Sequence, residues 1–237
     1  MIVSIMQPYF FPYLGYFNLL HSSDVFVLFD DVQFIRRGWI NRNRIQLNGE
    51  AFTFTVPVAK SSRDTPINQI AVSPEHFDEF AAKFFKQLKT GYGTAPFYDD
   101  VVALVRRTMS GPCDSIALLA ERSIREVLAY VGIEKDIRRA SALAPPASGQ
   151  HLKGQDRLVH IATAMGANQY NNPPGGRDLY SPEAFADEGI ALRFIQPDLR
   201  PYDRPSPFIP GLSVLDVLMH VPPIDVAQMI ALYCVEK

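Results

Sequence analysis

The chain has 237 residues, 47% of them hydrophobic and 20% charged, the balance of a folded globular protein rather than a disordered or fibrous one. A formal net charge of -2 supplies no overall basic field for nucleic acid, and no apolar run reaches the length that a membrane crossing needs. Cys113 and Cys234 lie far apart with no metal-ligand spacing, so both are expected as buried free thiols. No basic segment precedes an apolar stretch at the N-terminus, and the cytoplasm is therefore the expected compartment.

Ile2-Val3-Ser4-Ile5-Met6 is a short apolar run closed by Gln7-Pro8. It reads as a buried strand, because proline has no N–H with which to extend a ladder. Pro12 suits the first turn of a helix over 13–20, where a missing N–H leaves nothing unpaired. A second buried strand over 24–29 delivers Asp30 and Asp31 at its C-terminal end, the edge at which ligands sit in open α/β sheets. Arg36, Arg37, Trp39, Asn41, Arg42, Asn43 and Arg44 follow closely. Segments 45–47 and 52–56 alternate around Asn48-Gly49, a hairpin signal because both central positions of a type I′ turn need positive φ. A polar loop over 60–66 leads to an expected strand over 67–72.

Ser73-Pro74-Glu75 opens a helix whose Phe77, Phe80, Ala81, Phe84, Phe85 and Leu88 share one face. Two further amphipathic helices, over 97–109 and 115–131, complete an inserted helical group at about 75–131. A short strand over 136–140 follows Gly132, a helix-ending signal. Residues 142–149, with Pro145-Pro146, form a candidate linker, read as part of a surface crossing over 142–153 within one domain of 1–237. A helix over 156–165 and a strand over 169–171 come next. The loop after them carries Gly175, Gly176 and Arg177, where glycines let backbone N–H groups approach a phosphate or carboxylate. A strand over 190–195 and closing helices over 212–219 and 224–233 end the chain. The alternation implies an α/β fold: a Rossmann-like, mostly parallel sheet with a β-hairpin and the helical insertion.

Three strand exits are expected to converge: Gln7 with Tyr9, Asp30 with Asp31, and Asn171 with Arg177. In a functional reading Asp30 or Asp31 is a general base or ligand for an amine, and Asn41 or Asn43 stabilises an oxyanion. Arg36, Arg42, Arg44 and Arg177 clamp a diphosphate or carboxylate, with Trp39 among them. In the structural alternative Asp30 caps a loop and the arginines solvate a surface hairpin. His21 closes the first helix and is kept as a catalytic candidate; His76, His151, His160 and His220 show no metal spacing. No Gly-x-Ser-x-Gly or Walker sequence is present. Tyr13-Leu14-Gly15-Tyr16 is laid out like the His-x-Gly-His signature of nucleotidyl-transferring enzymes, with tyrosines in place of its histidines.

Met6-Gln7-Pro8-Tyr9-Phe10-Phe11-Pro12-Tyr13-Leu14-Gly15-Tyr16-Phe17, Asp30-Asp31-Val32-Gln33-Phe34 and Trp39-Ile40-Asn41-Arg42-Asn43-Arg44-Ile45 together resemble the WbqC-like family of bacterial proteins. Late matches include Gly166-Ala167, Gly175-Gly176 before Tyr180, Pro201-Tyr202 and Leu212-Ser213-Val214-Leu215-Asp216; Arg204 departs from a glutamine expected after the Pro-Tyr pair. The resemblance implies a role in surface-polysaccharide (O-antigen, lipopolysaccharide) biosynthesis, on an activated sugar. The reading combined with the residue inventory is a transferase that forms an amide on a nucleotide-activated amino sugar, by acyl or aminoacyl transfer. Tyr13 and Tyr202 join the substrate contacts in that reading. One alternative is a non-catalytic nucleotide-sugar or glycan-intermediate binding protein; another is a glycosyltransferase with Asp30-Asp31 as a metal pair. The expected partner is a nucleotide-linked sugar, with no nucleic acid and no membrane span. No cofactor is assigned beyond an acyl or aminoacyl donor, a divalent metal enters only in the glycosyltransferase reading, and the oligomeric state stays open.

Overall fold

The computed structural model describes residues 1–143, 152 and 154–236. The expected linker from 144 onward and His151 lie outside the described residues. In chain order the elements begin with β1 (Ile2–Met6), α1 (Leu14–His21), β2 (Val25–Leu28) and a hairpin of β3 (Arg42–Leu47) and β4 (Glu50–Thr55). Then come α2 (Pro74–Tyr92), α3 (Tyr98–Met109), α4 (Ile116–Val131) and β5 (Asp136–Arg139). The second half holds α5 (Gly154–Ala164), β6 (Gln169–Asn172), α6 (Pro182–Ala186), β7 (Ala191–Pro197), α7 (Val214–His220), α8 (Pro223–Ile230) and β8 (Tyr233–Glu236).

Among the described residues six strands form one sheet in the order β5-β2-β1-β6-β7-β8. β5, β2, β1, β6 and β7 run parallel and β8 pairs antiparallel with β7. The α/β fold with a separate hairpin is as the alternation of strands and helices implies. The chain leaves β1 toward β2 on one side and later returns to β6 on the other, so the strand order reverses at the β1–β6 pair. Period-two alternation divides the strand side chains between two cores. Val3, Ile5, Val25 and Val27 face α5 and α6 with Leu158, Ile161 and Phe185, while Phe26 and Leu28 face α1 and the helical insertion. α1 is buried along almost its entire length, as a helix apolar all round must be.

Four expectations are corrected. The segment 67–72 is not a strand: Ile67–Gln69 is a 3₁₀ turn, and Val72 makes only an isolated bridge with Val58. Its amides are taken by the β2 exit instead, Ile67 N bonding Val32 O at 2.9 Å and Asn68 N bonding Asp30 O at 2.9 Å. The last helix stops at Ile230, and Tyr233–Glu236 adds to the open edge of β7. Free ladder groups on β7 decide that segment, which local pattern reads as helical. Pro12 sits outside α1, whose N-cap is Tyr13. The thiols also differ from expectation, Cys113 being half-buried and Cys234 exposed.

Asn18 ties the two ends of the chain together. Fully buried on α1, its amide donates to the carbonyls of Met229, Ile230 and Leu232 at 2.9, 2.8 and 3.1 Å, satisfying orphan acceptors at the end of α8. Asn18→Ala removes the side-chain donor from all three, leaving Met229 O and Leu232 O with only the long bonds from Leu232 N and Asp198 N, and is expected to cost about 1–3 kcal/mol in a denaturant titration. Hydrogen exchange across 232–236 should rise in the variant; unchanged protection there would show that β8 is held without Asn18.

Candidate functional site

The loop from β1 to α1 is built around one strained residue. Phe11 has φ +43, a conformation that a bulky residue adopts at a cost of order 1–3 kcal/mol. Its N–H donates to Ser123 Oγ at 3.0 Å, and its carbonyl accepts from Asn43 Nδ2 at 2.7 Å and Ser213 Oγ at 2.8 Å. Three such bonds at about 1 kcal/mol each are enough to hold it. Phe10 N also bonds Ile40 O at 3.0 Å, so the loop is sewn to the start of β3. Its outer residues Tyr9 and Tyr13 then project beside the hairpin. Gly15 is needed here: a Cβ on it would lie 2.3 Å from Cε2 of the Tyr13 ring.

Tyr9, Tyr13, Trp39, Asn43, Arg44 and Gly211 line a cavity of about 210 Å³. Burial first, and the Tyr13 phenol second, push Tyr9 up to about 12, and burial also raises Tyr13. Both phenols therefore keep their protons at neutral pH. Trp39 is 42% exposed, with the Arg42 and Arg44 guanidinium carbons 5.4 and 5.5 Å from its ring centroid. On the Arg42 side lies a second cavity, of about 390 Å³, lined by Arg36, Arg37, Asn41, Arg42 and Lys60 among others. Among the described residues no Asp or Glu lines either cavity. The guanidinium groups are oriented by backbone carbonyls. Arg36 Nη2 donates to Ser61 O at 2.7 Å, Arg42 Nε to Gly38 O at 2.8 Å and Arg44 Nη2 to Gly211 O at 3.3 Å. Arg44 Nε is buried with no partner. Groups held this way suit planar, bidentate contact with an oxyanion.

The structure thus places Tyr9, Tyr13, Trp39, Asn43 and Arg44 on one cavity and Arg36, Asn41 and Arg42 on a second, with Trp39 between Arg42 and Arg44 at their junction; the two together are termed the groove. Asn41 and Asn43 hold it together from below, each spending its amide on a backbone carbonyl, of Val56 and Phe11 respectively. Gln7 stands at the β1 exit, where its carbonyl accepts from the buried Tyr16 hydroxyl at 3.0 Å. In the Tyr13-Leu14-Gly15-Tyr16 run, only the first tyrosine faces the groove.

The carboxylates belong to the β2 exit. Asp30 is 2% exposed and accepts from Ser141 N at 2.9 Å and Ser141 Oγ at 2.7 Å, which makes it a loop cap. Asp31 Oδ2 pairs with the buried Arg157 at 2.7 Å, and its Oδ1 has no partner. His21 is placed away from both: it ends α1 beside Lys135 and Tyr233, at the opposite edge of the sheet from the Asp30 exit. The reason is that α1 runs back along the sheet, so its C-terminus meets the start of β2.

The third expected exit does not join the groove. Asn171 points at the end of α1, donating to Ser22 O and Oγ at 2.9 and 3.0 Å. Gly176 N and Arg177 N bond Pro173 O and Pro174 O at 3.0 and 3.1 Å, so they are spent inside a 3₁₀ turn. Gly175 has open space where a Cβ would stand. Arg177 pairs with Glu236 and lies 4.9 Å over the Phe194 ring.

Tyr202 enters a buried network that spacing did not indicate. Asp216, 1% exposed, accepts from Tyr92 at 2.8 Å, from Tyr202 and from Arg204, and Arg204 also donates to Gln46. Burial, with Asp216 next, keeps the Tyr92 and Tyr202 phenols far above the ordinary tyrosine range. Gln46 Nε2 reaches Pro207 O at 3.0 Å. Segment 199–211, which carries Gly211 to the groove, is thereby strapped to β3. Ser141 and Arg157 were equally unmarked, because each meets its partner carboxylate only through tertiary contact.

A family model described as WbqC-like protein family matches residues 7–228. A protein of Mycobacterium tuberculosis (strain ATCC 25618 / H37Rv), named "Uncharacterized protein Rv1507c", is 26% identical over 224 residues, covering 92% of this chain and 93% of its own. No solved structure matches.

Asn43 is the test of how the groove is held. Asn43→Ala leaves the buried Phe11 carbonyl with Ser213 alone and removes the acceptor of Arg44 N, 2.8 Å away. A loss of about 1–2 kcal/mol is expected in chemical denaturation. A loss within about 0.5 kcal/mol, the range of an ordinary surface change, would show that the Phe11 conformation needs no such support.

Proposed function

The chain belongs to the WbqC-like protein family, and we propose that it is a transferase of surface-polysaccharide (O-antigen) biosynthesis acting on a nucleotide-activated amino sugar. The reaction is acyl or aminoacyl transfer forming an amide on the sugar nitrogen. The observation that carries this reading is the Trp39 groove: an exposed indole between two oriented arginines, free of carboxylates. Arg36, Arg42 and Arg44 accept a diphosphate, whose charge they match and whose oxygens they meet bidentately. A flat ring of the ligand, base or sugar, lies against Trp39. Tyr9 and Tyr13 offer protonated phenols as donors, either to sugar hydroxyls or to the oxyanion that forms when the amine attacks the acyl carbon.

Amide formation also needs a base to take the ammonium proton. Asp31, whose Oδ1 has no partner among the described residues while Arg157 holds the other oxygen, is the candidate, but that atom is buried and lines neither cavity, so the role requires it to be uncovered when substrate binds. Asp30, closed on Ser141, positions the β2 exit. A second reading, a nucleotide-sugar binding protein without catalysis, draws support from the same fact that both carboxylates have internal partners. The metal-pair reading draws none: Asp30 and Asp31 turn to different partners, and among the described residues no group of three or more His, Cys, Asp or Glu is arranged around a common point.

Trp39 is the single tryptophan of the chain, so its fluorescence reports on this groove directly. Titration with UDP-, dTDP- and GDP-linked sugars, amino and plain, should change the emission selectively for an amino sugar nucleotide. Arg44→Ala should weaken that binding about tenfold or more, the worth of a charged hydrogen bond. Asp31→Asn should keep the affinity and lower amide formation by about 10²-fold or more, read alongside its melting temperature because it also removes the carboxylate that pairs with Arg157. Silence toward every nucleotide sugar would end the substrate reading, and binding with no turnover under any acyl donor would favour the non-catalytic one.

A further inference from the structure

The rim of the groove has a character that a soluble nucleotide sugar does not require. Ile35 is 53% exposed and Trp39 42% exposed, and they flank one tight turn closed by Gly38 N to Ile35 O at 3.0 Å. Between them stand Arg36 and Arg37, both exposed. A second loop runs alongside with Lys60 and Arg63 exposed. Arg36 donates to Ser61 O at 2.7 Å, Gln33 Nε2 to Arg63 O at 2.9 Å, and Phe34 N to Thr65 O at 3.0 Å. The two loops are therefore one fixed surface. Its outer concavity, about 400 Å³, is lined by Gln33, Phe34, Ile35, Arg36 and Arg63, again with no carboxylate. Asp64 follows Arg63 in sequence but lines none of these hollows. In a chain whose net charge is -2, this is a local concentration of positive charge.

Arg37 adds an independent sign. It holds φ +62 at the corner of the turn, where glycine would fit without strain. Strain retained at an exposed corner by a cationic side chain points to use of that side chain.

From this arrangement we infer that the Ile35–Gly38 turn and the adjoining 59–63 loop dock the protein on an anionic bilayer surface. Arg37, Lys60 and Arg63 meet lipid phosphates, while Ile35 and the edge of Trp39 enter the interfacial layer. Cations alone would suit any polyanion; apolar side chains set among them suit the boundary between headgroups and acyl chains. No helix among the described residues is long and apolar enough to cross a membrane, and the attachment is accordingly peripheral, reversible and salt-sensitive. The inference does not rest on the proposed chemistry, and either can fail alone.

The test uses the full chain with vesicles of phosphatidylcholine, with and without phosphatidylglycerol, followed by cosedimentation and by Trp39 emission. Expected are binding to the anionic vesicles only, release by high salt, a blue shift of Trp39 and its quenching by brominated acyl chains. Arg37→Gly removes a charge and also the strained φ, so it should melt no lower than the parent yet partition about fivefold less. Ile35→Asp, on an exposed position, should abolish the blue shift. Absence of binding to anionic vesicles at low salt would overturn the inference. So would binding with no blue shift that Ile35→Asp leaves unaltered, or equal binding to duplex DNA or heparin independent of Ile35, either of which marks a general polyanion surface.

Discussion

The backbone of a single residue, Phe11, is where this architecture is tied. Ser123 on α4, Asn43 on β3 and Ser213 at the start of α7 all spend a hydrogen bond on it. They come from the helical insertion, the hairpin and the C-terminal part of the chain. Unpaired buried peptide groups are costly enough that each partner is constrained as firmly as Phe11 itself. The hairpin consequently cannot shift relative to α1, and Tyr9, Tyr13 and Trp39 keep one spatial relation. A groove built on bent loops is thus given the rigidity of the sheet beneath it.

Electrostatics divides the charged residues into two populations. Arg204 with Asp216, and Arg157 with Asp31, are buried or half-buried ion pairs. Breaking such a pair strands a charge in a poor solvent, so they act as internal ties. Arg36, Arg37, Arg42, Arg44 and Lys60 instead line open hollows with no acidic partner there. Several like charges brought close repel one another, and holding them on backbone carbonyls is costly unless an anion neutralises them. The proposed diphosphate site and the proposed membrane rim are two consequences of that same unbalanced surface, one facing inward along Trp39 and one outward past Ile35.

The sheet itself offers a different location. Strand order reverses between β1 and β6, the usual place for a ligand in a doubly wound fold, yet the residues beyond β6 are spent internally. Gly176 and Arg177 amides close a 3₁₀ turn and the Arg177 side chain goes to Glu236. What occupies the upper side of β1 and β2 is the hairpin with its arginine-rich lead-in. The proposed functional surface lies instead at the seam between sheet and hairpin.

Much of this was open to reading from residue order alone. Short apolar runs, Asn48-Gly49 with φ of 52 and 83, and the helix stripes of α2 to α4 are local signals, each carried by a few adjacent residues. The density of Arg36 to Arg44 around Trp39 likewise marked the groove before any fold was known. What lay beyond the sequence was every pairing between distant groups. That Asp30 is closed on Ser141, that His21 meets the opposite edge, that Tyr202 and Arg204 bury themselves on Asp216, and that Tyr233–Glu236 becomes a strand all depend on which surfaces the fold brings together. Local composition determines backbone preference and the supply of chemistry; tertiary contact decides which charges find partners and which are left facing solvent, because that depends on distance in space and not on distance along the chain.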